Sequence, residues 1–150
     1  LVSDQRLRMR LDGALSAAEA GDRNGYRAAL QSAAEACPGV PYPSQLLAAH
    51  LATGHPFPSD PGLADPAGAI RVLSASAQAF PDSEYTAYNL GWLLLDSNPQ
   101  GAARQFETAA RLAPRRGLVY FGLGAARAAA GDPEGARRAW AAEALADPAQ

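Results

Sequence analysis

The chain contains no lysine. Its 13 basic side chains are all arginine, set against 15 carboxylates for a formal net charge of −2. The arginines are scattered singly or in pairs, such as Arg115-Arg116 and Arg137-Arg138, and the densest group is Arg6, Arg8 and Arg10. Nucleic-acid binding needs a concentrated positive stripe that displaces counterions. None is evident, so nucleic acid is not expected as a partner. Cysteine is confined to Cys37, which excludes an internal disulfide and a cysteine-based metal site and leaves the redox compartment open. No apolar run approaches the roughly 18 residues that argue for a membrane span. β-Branched residues are few, and no long strand pattern appears.

What is abundant is alanine, at 36 of 150 positions, within a hydrophobic fraction of 48%. Alanine is the best helix former, and its small side chain lets helices approach closely. An alanine-, glycine- and arginine-rich chain without lysine reads as the product of a GC-rich bacterial genome. No signal peptide is visible, but the sequence begins at Leu1 rather than Met. It is therefore expected to be a processed or excised piece, from the bacterial cytoplasm or the periplasm and cell envelope.

The chain opens and closes helices in a fixed register. Asp65-Pro66, Asn98-Pro99 and Asp132-Pro133 are spaced by 33 and 34 residues. Asp and Asn are preferred N-caps, and Pro suits the first helical position. Pro81, Pro114 and Pro148 recur at the same spacings, where a helix must already have ended. Between these marks, Ala69, Ala102 and Ala136 each precede a large residue by four positions: Leu73, Phe106 and Trp140. A small and a large residue one turn apart on one face suit close packing against a neighbouring helix, so Phe106 and Trp140 are assigned to packing. Leu90-Gly91 and Leu123-Gly124 repeat 33 apart in the preceding helical stretches, 83–97 and 117–130. A glycine inside a helix suggests that a partner backbone crosses closely there.

These residues resemble the tetratricopeptide repeat (TPR) family. The stretch 85–114 carries Tyr-Asn-Leu-Gly, a small Ala, an aromatic, Ala and a closing Pro. Residues 117–148 carry Tyr120, Leu123-Gly124, Gly131-Asp132-Pro133, Ala136, Trp140 and Asp147-Pro148. The resemblance is clear over 66–148 and degenerate over 4–53. The expected organisation is one domain over 1–150. A degenerate pair at 4–36 is followed by a pair at 44–80 holding a long Pro-rich loop at 54–65, then by repeats at 83–114 and 117–148. The loop is read as a tolerated insertion rather than a functional segment. The resemblance implies an all-α fold, a right-handed superhelical solenoid of about four antiparallel helix pairs. Glu143 and Ser76 stand where the family has a small residue, as at Ala109, which predicts slight splaying or a free surface.

In such arrays the first helix of each pair lines a concave groove that takes a peptide or a partner helix. Here the packing role on 83–97 belongs to Ala87, Leu90, Gly91 and Leu94. The groove is then left to Tyr85, Tyr88, Asn89 and Trp92, joined by Leu118, Phe121 and Ala125 from 117–130. Tyr85, Tyr88 and Trp92 share one stripe at spacings of three and four, and aromatics make good binding anchors. Asn89 lies where many TPRs hold an Asn against the ligand backbone. The family's carboxylate-gripping subclass needs Lys and is not expected. The function implied is a protein-interaction module or assembly factor in bacterial secretion, pilus or envelope assembly. The alternatives are a self-associating scaffold using the C-terminal helix and a regulatory arm of a larger enzyme.

Neither catalysis nor a metal or other cofactor is expected. His50 and His55 have a helix end and Gly54 between them and do not form a helical metal pair. Gly122-Leu-Gly124 begins like a dinucleotide fingerprint, but Arg127 stands at the third glycine and no strand precedes it. Arg127 itself falls at a usually apolar interhelix position, where snorkelling and a pair with Glu134 are both open.

Overall fold

The computed structural model describes residues 2–146, the side chains of Val2 and Ser3 excepted. Among the described residues are eight α-helices: α1 (Val2–Glu19), α2 (Arg23–Ala36), α3 (Tyr42–Thr53), α4 (Pro66–Ala79), α5 (Glu84–Leu94), α6 (Pro99–Leu112), α7 (Val119–Ala129) and α8 (Pro133–Ala146). No strand occurs among the described residues. The eight helices fit four helix pairs. Asp147 and Pro148, read above as closing the last repeat, lie outside the described residues.

The even-numbered helices begin with one device. The side chains of Asp22, Asp65, Asn98 and Asp132 accept from the backbone N–H of Gly25, Gly68, Gly101 and Gly135, at 2.8, 2.8, 2.9 and 2.9 Å. Each cap satisfies a donor that the helix start would otherwise leave unpaired. The capping side chain folds over the third helical residue, and a Cβ there would collide with it in all four helices. The pattern Asx-x-x-Gly therefore marks all four helix starts, including α2 in the stretch where the repeat is degenerate.

The chain divides into two compact units, one running through Ser76 and the other beginning at Ala77. In the first, α2 packs between α1 and α3. Leu30 and Ala33 of α2 are completely buried, and Tyr26, Leu47, Ala48 and Leu51 are buried as well. In the second, α5, α6, α7 and α8 each pack on the next. Phe106 of α6 is fully buried at its centre, among Ala87, Ala102, Ala109, Val119, Leu123 and Ala126.

Several expectations change in detail. The helices are shorter than read for 83–97 and 117–130, because Ser83 caps α5 through Thr86 N–H and Leu118 adopts a left-handed φ of 67° just before α7. The glycines inside α5 and α7 face rings, not a crossing backbone. A Cβ on Gly91 would lie 2.9 Å from the Phe106 ring, and one on Gly124 would collide with the Trp140 indole. Phe106 is enclosed as expected, but Trp140 remains 42% exposed while its Nε1 donates to the Phe121 carbonyl at 3.3 Å.

Glu143, expected to mark slight splaying or a free surface, is a capping residue. From α8 it caps α7, accepting from Leu118 N–H (3.0 Å), Tyr120 N–H (2.9 Å) and Phe121 N–H (3.2 Å). A carboxylate on unpaired donors at a helix N-terminus is favourable for both hydrogen bonding and the helix dipole. Arg127 pairs with Glu107 at 3.2 Å and donates to the Gly135 carbonyl at 3.2 Å, whereas Glu134 pairs with Arg137.

Candidate functional site

The expected groove residues lie on α5, on α7 and at the turn before α7, within the second unit. They form two tiers. Tyr88 and Trp92 are half-buried and pack against Phe106, with ring centroids 6.3 and 5.1 Å from it. Trp92 also stacks on Phe121 at 6.5 Å with planes 30° apart, which joins α5 to α7. The Tyr88 hydroxyl donates to the Gly117 carbonyl at 3.2 Å. These two residues are a floor, held by core contacts as well as by each other at 6.1 Å.

The outer tier is open. Phe121 is 49% exposed, Leu118 48% and Tyr85 37%. Ala125 is half-buried beside them in sequence on α7. Asn89 turns its amide N–H back to the Tyr85 carbonyl at 2.8 Å, so its nitrogen is engaged within α5. Leu90, Ala87 and Gly91 are buried as the packing face requires, while Leu94 is half-buried against the same core.

Two charged residues not singled out in the sequence belong to this surface. Arg116 places its guanidinium 3.9 Å from the Tyr88 ring centroid and pairs with Glu84 at 2.5 Å. The cation is attracted by the ring's negative face, and the carboxylate neutralises it. No local pattern announced this, because Glu84 and Arg116 stand 32 residues apart.

The first unit offers different chemistry. His50 is buried and its Nδ1 lies 3.1 Å from the His55 carbonyl. An oxygen acceptor there requires the proton on Nδ1. Burial lowers the pKa of His50 from its ordinary 6.5. The His55 and Gly54 carbonyls oppose the shift, while Arg27 and Arg23 reinforce it. Burial likewise raises that of Tyr26, helped by Tyr42. No group of three or more metal-ligating side chains occurs among the described residues, nor any helix long and apolar enough to cross a membrane.

No family model and no curated protein matches this sequence. Solved structures do. MamA from Desulfovibrio magneticus RS-1, from residue 41 to its end, is similar over 97% of this chain and 77% of that one, with 19% identity and a TM-score of 0.77. Another MamA structure matches over 97% and 75% with 20% identity and a TM-score of 0.77. A further one matches over 90% and 74% with 21% identity and a TM-score of 0.71. Likeness at such identity speaks to fold alone. The chain has the all-helical, TPR-like repeat fold of the MamA structures.

Proposed function

We propose that this protein is a non-enzymatic interaction module that holds an apolar helix or peptide of a protein partner against α5 and α7, in bacterial secretion, pilus or envelope assembly. The observation that carries the reading is the two-tiered aromatic patch. Phe121, Leu118 and Tyr85 present apolar surface to solvent on a floor of Trp92 and Tyr88 fixed by the core. A rigid, exposed aromatic anchor loses little entropy on binding. Glu84 and Arg116 neutralise each other beside the patch, so recognition rests on apolar contact and depends weakly on salt.

The test separates binding from folding by using the outer tier. Phe121→Ala and Leu118→Ala leave the core contacts of Trp92 and Tyr88 in place. Each is expected to weaken partner binding tenfold or more with no loss of helical content. Unchanged binding in both variants would remove the patch from the function.

A second reading, self-association as a scaffold, is favoured by α8. Leu145 is 84% exposed there, together with the open side of Trp140. Molecular mass rising with concentration, and abolished by Leu145→Arg, would support it. A constant mass would exclude it.

A further inference from the structure

The segment that leaves α3 in the first unit is tied down at every turn. Gly54, with φ of 80°, ends the helix. The Thr53 hydroxyl oxygen accepts from His55 N–H at 3.2 Å, and Phe57 N–H donates to the Gly54 carbonyl at 3.0 Å. Arg23 of α2 donates to the Pro58 carbonyl at 2.7 Å and holds its guanidinium 5.0 Å from the Phe57 ring centroid. Asp65 N–H returns to the Leu51 carbonyl at 2.7 Å and closes the excursion. At the centre is His50, 4% exposed, edge-to-face with Tyr26 at 5.0 Å and Phe57 at 5.6 Å, donating from Nδ1 to the His55 carbonyl. Pro56, in the same segment, forms one wall of an apolar hollow of about 420 Å³ lined by Leu11, Leu15, Tyr42 and Leu46.

We propose that His50 is an acid-sensitive latch: uncharged, it holds residues 54–58 against α2 and α3, and protonated, it releases them and opens the Pro56 wall of the hollow. The loop read from sequence as a tolerated insertion thereby becomes a device.

The chemistry follows from the tautomer. Nδ1 already carries a proton, so the added proton goes to Nε2 and creates an imidazolium in a buried site. The groups facing it are Arg23, Arg27 and Tyr26 from α2 and the Gly54 and His55 carbonyls from the strap. None of the charged groups that act on it among the described residues is a carboxylate. The carbonyls favour the cation, but burial and two arginines disfavour it more, which sets the direction of the shift. Arg23 is also the residue that clamps Phe57 and Pro58, so a new positive charge beside it weakens that clamp. Once the strap lifts, the ring meets water and regains its ordinary value near 6.5. The closed state therefore loses ground as pH falls below 6.5, tenfold for each pH unit down to the lowered value of the closed state, and no further below it.

The test is amide hydrogen exchange on the full chain, corrected for the intrinsic rate at each pH, between pH 7.5 and 5.0. Protection of the His55 and Phe57 amides is expected to fall several-fold in acid, while the Cys37 amide, bonded to the Ala33 carbonyl of α2 in the same unit, holds its protection. His50→Gln should abolish the fall and His55→Gln should preserve it. Should His50→Gln not fold, Arg23→Gln decides: the His50 ring titration moves up and the acid-induced fall shrinks. A flat wild-type profile, a fall that survives His50→Gln, or one of unchanged size in Arg23→Gln would overturn the latch.

Discussion

The Phe106 ring fills the volume that a side chain on Gly122 would need. A Cβ built on Gly122 lies 2.6 Å from the ring, and Gly91 meets the same ring at 2.9 Å from α5. The ring is caught between two helices and cannot retreat from either. Gly122→Ala gains roughly 1 kcal/mol of helix propensity yet must displace a fully buried ring, which costs about 1–3 kcal/mol in a well-packed core. A net destabilisation is expected in urea unfolding, smaller for Gly91→Ala. A stabilised Gly122→Ala would mean that the ring has room to move.

Glu143 and Leu118 should respond in opposite directions although they meet at one hydrogen bond. Glu143→Ala strips three backbone donors of their acceptor, an expected loss of about 1–2 kcal/mol. Leu118→Gly relieves a left-handed backbone, φ 67°, that costs a branched residue roughly 1–2 kcal/mol, so it should stabilise. Thermal melting of the two variants checks the pair. Equal signs would contradict the cap geometry.

Ser76 buries a hydroxyl oxygen that has no hydrogen-bond partner among the described residues. Leaving such a group unsatisfied costs about 1–3 kcal/mol. Ser76→Ala places there the residue found at the corresponding Ala109 and should raise the urea midpoint without changing the slope. A lowered midpoint would show that the hydroxyl is satisfied in solution.

The fold was legible because the repeat is written in backbone chemistry. An Asx cap, a Pro at the first helical turn and a small residue four before a large one each have a local physical cause. The first unit was read less clearly, since Asp22 has no Pro after it. Its cap-to-Gly25 spacing was the available signal. The candidate site was legible as a stripe of residues but not as two tiers. Burial of Tyr88 and Trp92 depends on Phe106, which reaches them from α6. Glu143 at the start of α7, Arg116 on Tyr88 and His50 beneath the strap are contacts over tertiary distances or around irregular loops. Helical periodicity carries no information about them. Gly91 and Gly124 are met by the rings of Phe106 and Trp140 and not by the crossing backbone expected of them, because spacing marks a tight position without naming what fills it.

The proposed docking surface for an apolar helix or peptide is the exposed tier over Trp92. Trp92 reports on it directly, because Phe121 stacks on its ring. The decisive measurement selects binders from a random library of helical peptides, then follows their titration by Trp92 emission in a Trp140→Phe background. Expected are enriched peptides with apolar residues at i, i+3/i+4 and i+7 and saturable shifts in Trp92 emission that change little between low and high salt. Affinity should fall at least tenfold in Phe121→Ala. No enrichment, or peptides that bind Phe121→Ala equally well and leave Trp92 unperturbed, would contradict it.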